Sequence, residues 1–314
     1  MEPLRHILVV VDPVAQQSPA LAKARRLANA FKASVELLLC DRNPALMPNF
    51  YPDAESYTSV VEPVRSSHEA RLRVLATPFA VDKLQVTCHV EFGRPLHAVI
   101  LDRIALKKPD LVIKDTHHHS ILRRTLITNT DWHLIRDCRQ PLLLVKDTIW
   151  SAEPHVSAAV DPGHPQDTPA ALDHAVVYAA DRIARGLGSQ VSLVHCWSPI
   201  ALYAMGAVGG GMGGVPVMMP PEVIDAQRGL DRERLEHLAR VHHIPPQRTH
   251  LRDGIAVDEL PTYAAHHGAD LLVMGAVSRS GLDRIFIGHT AEMLLEGLPC
   301  DIMVIKLPAD PMHP

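Results

Sequence analysis

The chain is built from two copies of one pattern of apolar segments, and this internal repeat limits the folds open to it. An apolar run that ends in Asp-Pro occurs twice and places Asp12 and Asp161 149 residues apart. Three later runs repeat at offsets of 156 to 160 residues: Val35–Cys40 with Val191–Cys196, Asp110–Lys114 with Asp270–Met274, and Pro141–Lys146 with Asp301–Lys306. A chain of 314 residues is long enough for two ordinary domains. We therefore predict domains at 1–147 and 154–308, joined by a short linker.

Within each copy, the short apolar runs alternate with amphipathic segments of helical periodicity. Leu21–Phe31 and Ala171–Ala184 are matching examples of such segments. Runs such as LVIK and LLVM lack strict alternation, as is typical of parallel strands that helices cover on both faces. Each copy is thus predicted to be a doubly wound α/β domain with a parallel, flavodoxin-like sheet. Ligands of such sheets bind beyond the carboxyl ends of the strands, so Asp12 and Asp161 lie at candidate sites.

Composition excludes several classes of protein. With 47 % hydrophobic and 21 % charged residues the chain has a globular balance, and it has no apolar run long enough to span a membrane. Five cysteines without a close pair predict a reducing, cytoplasmic location. Residues 1–150 carry 20 Lys and Arg against 16 Asp and Glu, whereas residues 151–314 carry 11 against 19. This asymmetry is too mild to predict a nucleic-acid partner.

The segment Met274–Leu295 has the pattern of a phosphate-binding loop. A strand end is followed by a turn rich in Gly and Ser, a spacer, a second Gly and then a helix. Backbone N–H groups in such a turn, together with a helix N-terminus, can bind phosphate oxygens. The spacing is neither a Walker motif nor GxGxxG.

The same segment resembles the G-x2-G-x9-G-(S/T) loop of the universal stress proteins. Gly275 and Gly288 match two glycines, whereas Ser278 and His289 replace the other glycine and the Ser/Thr. The resemblance covers nearly the whole chain and is greatest to the E-type tandem members of bacteria. It implies a cytoplasmic regulator of stress tolerance that binds ATP or AMP, with Mg²⁺ as a companion of the triphosphate.

Residue by residue, the resemblance implies that Asp161 and Cys196 contact the adenosine. It further implies that the ribose and phosphates are bound by Gly275, Ser278, Gly288, His289 and Thr290. The two domains are expected to pair within the chain through their last strands, Pro141–Lys146 and Asp301–Lys306. Whether two chains then form a homodimer, and which proteins are partners, the sequence leaves open.

The matching loop of the first copy has lost its glycines. Asp115, His118 and Thr128 stand at the three Gly positions, and an acid at the first of them disfavours ATP. Three consecutive histidines in this loop raise two alternatives. His117 and His119 either bind zinc with further ligands from elsewhere, or belong to a solvated surface loop.

No catalytic motif of hydrolases or kinases occurs in the chain, so a weak ATPase is the most that we expect of an enzyme. A slow ATP hydrolase and a nucleotide-independent interaction scaffold are the alternatives to a nucleotide-binding regulator. The Gly/Met-rich segment 204–221 is interpreted either as a surface loop or as a flap over a ligand. The pairs His242-His243 and His266-His267 are predicted to lie at helix ends.

Overall fold

The computed structural model describes residues 4–13, 18–119, 124–126, 128–162, 167–198, 220–276 and 294–307. Side chains of 117–119, 124–126 and 167–170 are outside this description. The chain divides into two compact units. Of the described residues, the first unit holds 4–152 and 301–307, and the second holds 153–276 and 294–300. No helix in the described part of the chain is long and apolar enough to cross a membrane.

The first unit is a six-stranded sheet with helices. Its sheet has the order β12-β7-β4-β1-β2-β3, formed by β1 His6–Val11, β2 Ser34–Asp41, β3 Val86–Phe92, β4 Leu111–Asp115, β7 Leu142–Val145 and β12 Asp301–Ile305. All these pairs are parallel except β12 with β7. The α-helices are α1 Pro19–Phe31, α2 Ala54–Val81, α3 Leu96–Lys107 and α4 Asn129–Asp137, and short 3₁₀ helices span Pro44–Leu46 and Pro48–Phe50.

A separate antiparallel hairpin of the first unit contains the consecutive histidines. It pairs β5 His117–His119 with β6 Arg124–Leu126. The backbone of this segment is thus a short strand of a hairpin, and the choice between a solvated surface segment and a zinc site stays a prediction. The residues here are consecutive and polar, so the sequence shows neither the apolar run nor the alternation of apolar and polar residues that predicts a strand.

The second unit has a four-stranded parallel sheet of the order β10-β9-β8-β11. Its strands are β8 Val156–Ala159, β9 Val191–Trp197, β10 Thr249–Asp253 and β11 Leu271–Gly275. Its α-helices are α5 Asp167–Gly186, α6 Pro221–Val241 and α7 Ala256–His267, with a 3₁₀ helix at Pro246–Arg248. His242 follows α6, and His266 and His267 end α7, as the sequence predicts.

The apolar runs become central strands because both faces of the sheet are covered. In β1 the residues from Ile7 to Val11 are all buried, so no polar alternation is needed. In α1 the buried residues Ala20, Ala24, Leu27 and Ala28 recur at helical spacing and form the face that packs on the sheet. The α/β class predicted from the alternation is confirmed.

The last strand of the repeat belongs to the first unit. β12 pairs antiparallel with β7, with Met303 opposite Leu143. The pairing expected between Pro141–Lys146 and Asp301–Lys306 is thus present. The predicted domain 154–308 includes residues 301–307. In the structure the contacts of these residues lie in the first unit.

Candidate functional site

The carboxyl ends of the strands in the second unit bring together three of the predicted site residues. Asp161 follows β8, Cys196 lies near the end of β9, and Gly275 ends β11. Since β8 is paired with both β9 and β11, these three residues lie along one edge of the sheet. This is the edge at which open α/β sheets bind ligands.

Asp161 is the exposed acid of this edge. Its side chain is 65 % exposed and its Oδ1 lies 3.8 Å from Nδ1 of His195. His195 is buried and its Nδ1 donates to the carbonyl oxygen of Val160 at 3.0 Å, which fixes the ring beside the strand end. The carboxylate is therefore positioned on the rim of the edge and is accessible to a ligand.

A second acid, Asp173 of α5, lies behind Asp161 and was not predicted from the sequence. One of its oxygens, Oδ1, accepts a hydrogen bond from the backbone N–H of Asp161 at 2.9 Å. Burial raises the pKa of Asp173 to about 6, and the charge of Asp161 adds to the increase. In the sequence this residue is one polar position in an amphipathic helix, and only the packing identifies it as buried.

Gly275 is required by close packing. A Cβ atom at this position would lie 2.6 Å from Cδ2 and 2.7 Å from Cγ of Leu172 in α5. Such distances are well inside van der Waals contact, so α5 can approach the end of β11 only where glycine stands. The glycine that the sequence assigns to a phosphate loop thus also has a packing role.

Cys196 is half-buried and is not activated. Burial raises the pKa of its thiol to about 12, with a further increase from the nearby carboxylate of Glu259. The thiol is therefore protonated at neutral pH, so it is neither a nucleophile nor a metal ligand in this state. It can still contact a ligand as a small, weakly polar side chain.

Four of the predicted site residues, Ser278, Gly288, His289 and Thr290, lie outside the described residues. So does most of the segment 204–221. The side chains of His117 and His119, the predicted zinc ligands, are likewise outside the description. Among the described side chains, no group of three or more His, Cys, Asp or Glu residues is arranged to hold a metal ion.

The first unit has a cavity of about 1010 Å³ at the corresponding edge of its own sheet. The walls come from the ends of β1, β2, β4 and β7, from α2 and from the start of α4. Asp12, Asp41 and Asp115 lie on the walls, together with Arg42 and Arg94. The cavity is large enough for a small-molecule ligand.

Two helix N-termini at this cavity are occupied by carboxylates of the protein itself. Asp115 accepts hydrogen bonds from the N–H of Ala20 in α1 at 2.7 Å and from the hydroxyl of Ser18 at 2.5 Å. Asp131 forms a capping box with Thr128, the N-cap of α4: its carboxylate accepts from N–H and Oγ1 of Thr128 at 2.8 Å each, and its N–H donates to that Oγ1 at 3.3 Å. The anion positions of both helices are thus filled from within.

The cation nearest to these carboxylates is also neutralised. Nζ of Lys114 forms a buried ion pair with Oδ1 of Asp131 at 2.7 Å and donates to the carbonyl oxygen of Asp115 at 2.9 Å. A phosphate entering here would have to displace a carboxylate from its hydrogen bonds. The sequence-based expectation that the acid at position 115 disfavours ATP agrees with this geometry.

The two edges therefore differ chemically. The edge of the second unit combines an exposed carboxylate, a buried carboxylate and a protonated thiol, which suit hydrogen bonds to a polar ligand. At the edge of the first unit, Lys114 is ion-paired with Asp131, and the carboxylate of Asp115 accepts from Ser18 and from the N–H of Ala20. We accordingly treat the second unit as the candidate ligand site.

Comparison with known proteins relates both halves of the chain to one family. Residues 3–146 and 155–306 each match the sequence model described as the universal stress protein family. The chain is 28 % identical over 309 residues to universal stress protein E of Salmonella typhi, covering 96 % of this chain and 94 % of that protein. A universal stress protein E homolog of Haemophilus influenzae is 25 % identical over 307 residues, covering 96 % and 97 % of the two chains.

Solved structures agree with the fold. A functionally unknown protein of Pseudomonas aeruginosa PAO1 aligns with a TM-score of 0.73 at 24 % identity, covering 96 % of this chain and 92 % of that one. A universal stress protein of Archaeoglobus fulgidus aligns with a TM-score of 0.64 at 12 % identity, covering 95 % and 98 %. The repeat, the strand order and the two family matches lead to one conclusion: this chain belongs to the universal stress protein family, as a tandem member similar to universal stress protein E.

Proposed function

We propose that the second unit binds an adenine nucleotide, ATP or AMP, and that the chain acts as a cytoplasmic regulator of the stress response. The main support is Asp161, whose carboxylate is 65 % exposed at the end of β8 in the domain that keeps the loop spacing from Gly275 to Gly288. A carboxylate at a strand end can accept hydrogen bonds from the amino or hydroxyl groups of a nucleoside.

The distribution of charge supports the choice of unit. In the first unit the carboxylates of Asp115 and Asp131 occupy the helix N-termini that a phosphate would need. The second unit has Gly275 where the first has Asp115, so no side chain at that position repels a phosphate. One nucleotide for each chain is therefore expected, and any Mg²⁺ would enter with the triphosphate.

In this proposal the chain's own residues bind and orient the ligand, and no residue is assigned a role in its hydrolysis. Asp161 orients the nucleoside, while the segment that begins at Gly275 follows the phosphates. Binding stabilises the ligand-bound form of the second unit and so changes the surface offered to partner proteins. No described residue identifies those partners.

A pair of matched substitutions tests the proposal. Isothermal titration with ATP should show that Asp161→Ala weakens binding by about tenfold or more, the effect of losing one hydrogen bond to a charged group. Asp12→Ala, at the same position of the first repeat, should leave the affinity unchanged. Equal affinities of the wild type and Asp161→Ala, or no ATP binding by the wild type, would refute the proposal.

A further inference from the structure

Asp173 is an unusual group because one oxygen of its carboxylate has no hydrogen-bond partner within the described part of the chain. The residue is 6 % exposed, and Oδ1 accepts from the N–H of Asp161 at 2.9 Å. Oδ2 is buried and has no hydrogen-bond partner among the described residues. Buried polar atoms in proteins are nearly always hydrogen-bonded, so an unpaired carboxylate oxygen indicates a missing donor.

The repeat supplies an internal comparison. The residue of α1 that corresponds to Asp173 is Lys23, which is fully paired: its Nζ lies 2.7 Å from Oδ2 of Asp301 and 3.0 Å from the carbonyl oxygen of Lys146. The first unit therefore satisfies the buried charge at this helix position from its own residues. The second unit has a charge of opposite sign there, and its Oδ2 has no partner among the residues that the structure describes.

Asp173 lies at the candidate site and not elsewhere on the helix. α5 packs against both β8 and β11, and the preceding residue, Leu172, fills the space beside Gly275. Among the described residues, the titratable groups at this edge are Asp161 after β8 and His195 and Cys196 on β9, with Glu259 and Arg252 near the Cys196 thiol, while β11 contributes the uncharged Met274 and Gly275. The open oxygen thus lies between the ends of two strands that border the site.

We propose that Oδ2 of Asp173 accepts a hydrogen bond from a hydroxyl or amino group of the nucleoside part of the ligand. This inference rests on the proposed function, because it concerns the same site. An ionised carboxylate only accepts hydrogen bonds, and a donor on the ligand would satisfy the oxygen that the protein leaves open. Asp161 on the rim and Asp173 below it would then bind the nucleoside together.

The contact makes binding depend on pH. Ionised Asp173 accepts from the ligand, whereas protonated Asp173 presents an O–H that competes with the ligand's donor. With a pKa of about 6, roughly one tenth of the protein carries the ionised form at pH 5.0. We therefore expect the affinity for a nucleoside to be about tenfold weaker at pH 5.0 than at pH 7.5.

Asp173→Asn is the informative variant. Asparagine has one acceptor oxygen, which the N–H of Asp161 requires, so its remaining group is an amide donor that cannot accept from the ligand. The probe is adenosine, because it carries no phosphate that titrates between pH 5.0 and pH 7.5. Asp181→Asn is the control, since it makes the same substitution on α5 at an acid that is ion-paired with Arg185 at 2.8 Å.

Calorimetric titration of the full chain with adenosine at both pH values is the experiment. The expected result is a tenfold change in affinity with pH for the wild type and Asp181→Asn, and a change of less than twofold for Asp173→Asn, with weaker binding at pH 7.5. Thermal unfolding of each variant at both pH values confirms that the folded protein is measured. Equal pH dependence of Asp173→Asn and the wild type would overturn this inference and leave the proposed function standing. Adenosine and ATP failing to bind the wild type at either pH would overturn both.

Discussion

At the scale of single residues, the open oxygen of Asp173 bears on stability as well as on binding. Burial raises the pKa of this acid in the folded chain to about 6, well above the value in the unfolded chain. An acid whose pKa is higher in the folded chain than in the unfolded chain favours folding at low pH. This contribution is lost as the pH rises from the pKa of the unfolded chain to the pKa of the folded chain. Ionised Asp173 thus destabilises the ligand-free protein at neutral pH.

Asp173→Asn should therefore stabilise the free protein at pH 7.5, by an amount of order 2 kcal/mol. The gain should shrink toward zero at pH 4, where the aspartate in the folded chain is already protonated. Urea unfolding at the two pH values measures both quantities. A variant that is no more stable than the wild type at pH 7.5 would show that Oδ2 of Asp173 has a hydrogen-bond partner in the ligand-free protein.

Gly275 gives a second prediction at this scale. Gly275→Ala should destabilise the protein by about 1–3 kcal/mol, because the new Cβ would overlap Leu172 at 2.6 Å. Gly229→Ala is the control: Gly229 lies inside α6 with no atom near its Cβ position, so alanine should be neutral or stabilise the helix by up to about 1 kcal/mol. Similar unfolding midpoints for the two variants would contradict the packing role of Gly275.

At the scale of elements, β12 is held in the first unit by a buried carboxylate. Asp301, at the start of β12, accepts from the N–H of Lys146 and from Nε1 of Trp150, both at 2.8 Å. The same carboxylate is ion-paired with Lys23 at 2.7 Å and is fully buried. Removing one member of such a pair leaves an uncompensated charge in the interior.

Asp301→Ala should accordingly destabilise the first unit by about 3–5 kcal/mol. The double variant Lys23→Met, Asp301→Ala should recover part of this loss, because it removes the stranded ammonium group as well. Denaturant unfolding followed by circular dichroism measures the stability of each variant. Single and double variants of equal stability would contradict the role given to the ion pair.

Three histidines of the second unit, His155, His250 and His267, lie close together. His155, just before β8, donates from Nδ1 to the carbonyl oxygen of His267 at 2.7 Å, and its Nε2 lies 3.1 Å from the hydroxyl of Ser192. His267 stacks on Tyr263, and His250 of β10 contacts both rings. Burial lowers the pKa of His250, and the neighbouring histidines lower it further.

A histidine whose pKa is lower in the folded chain than in the unfolded chain stabilises the fold at pH values above the unfolded-chain pKa. That stabilisation is lost as the pH falls from the unfolded-chain pKa to the folded-chain pKa. Protonation of His250 should therefore lower the melting temperature between pH 7.5 and pH 5, a drop superimposed on the rise that protonation of Asp173 produces. His250→Gln should reduce the size of this drop, because glutamine cannot take up the proton. Melting curves across this range test the point, and an identical drop in the variant would exclude His250 as the cause.

A helix or strand could be predicted from the sequence where its apolar residues form a continuous run or recur at regular spacing. The buried strands β1, β4 and β11 and the helices α1 and α5 follow from apolar runs and helical spacing. The hairpin at His117–His119 was not predictable, since its residues have no apolar period. The assignment of β12 to the first unit depends on tertiary contacts of Asp301, which no local pattern contains.

At the scale of the whole molecule, two repeats of one fold have different chemistry at matching edges. The sequence predicts the places, because Asp12 and Asp161 end corresponding strands. It does not predict that Asp115 and Asp131 fill the anion positions of the first unit, or that Asp173 stands open in the second. The contacts of Asp115 and Asp173 depend on distances between separate elements, whereas the contact of Asp131 with Thr128 is local to the start of α4.

The central claim is that one unit of the two binds an adenine nucleotide. Native mass spectrometry of the ligand-free, untagged chain, titrated with ATP to saturation, counts the nucleotides bound to each chain. The account predicts one nucleotide per chain at saturation, and about tenfold more ATP to reach the same occupancy of Asp161→Ala. Two nucleotides per chain, or none on the wild type, would contradict it.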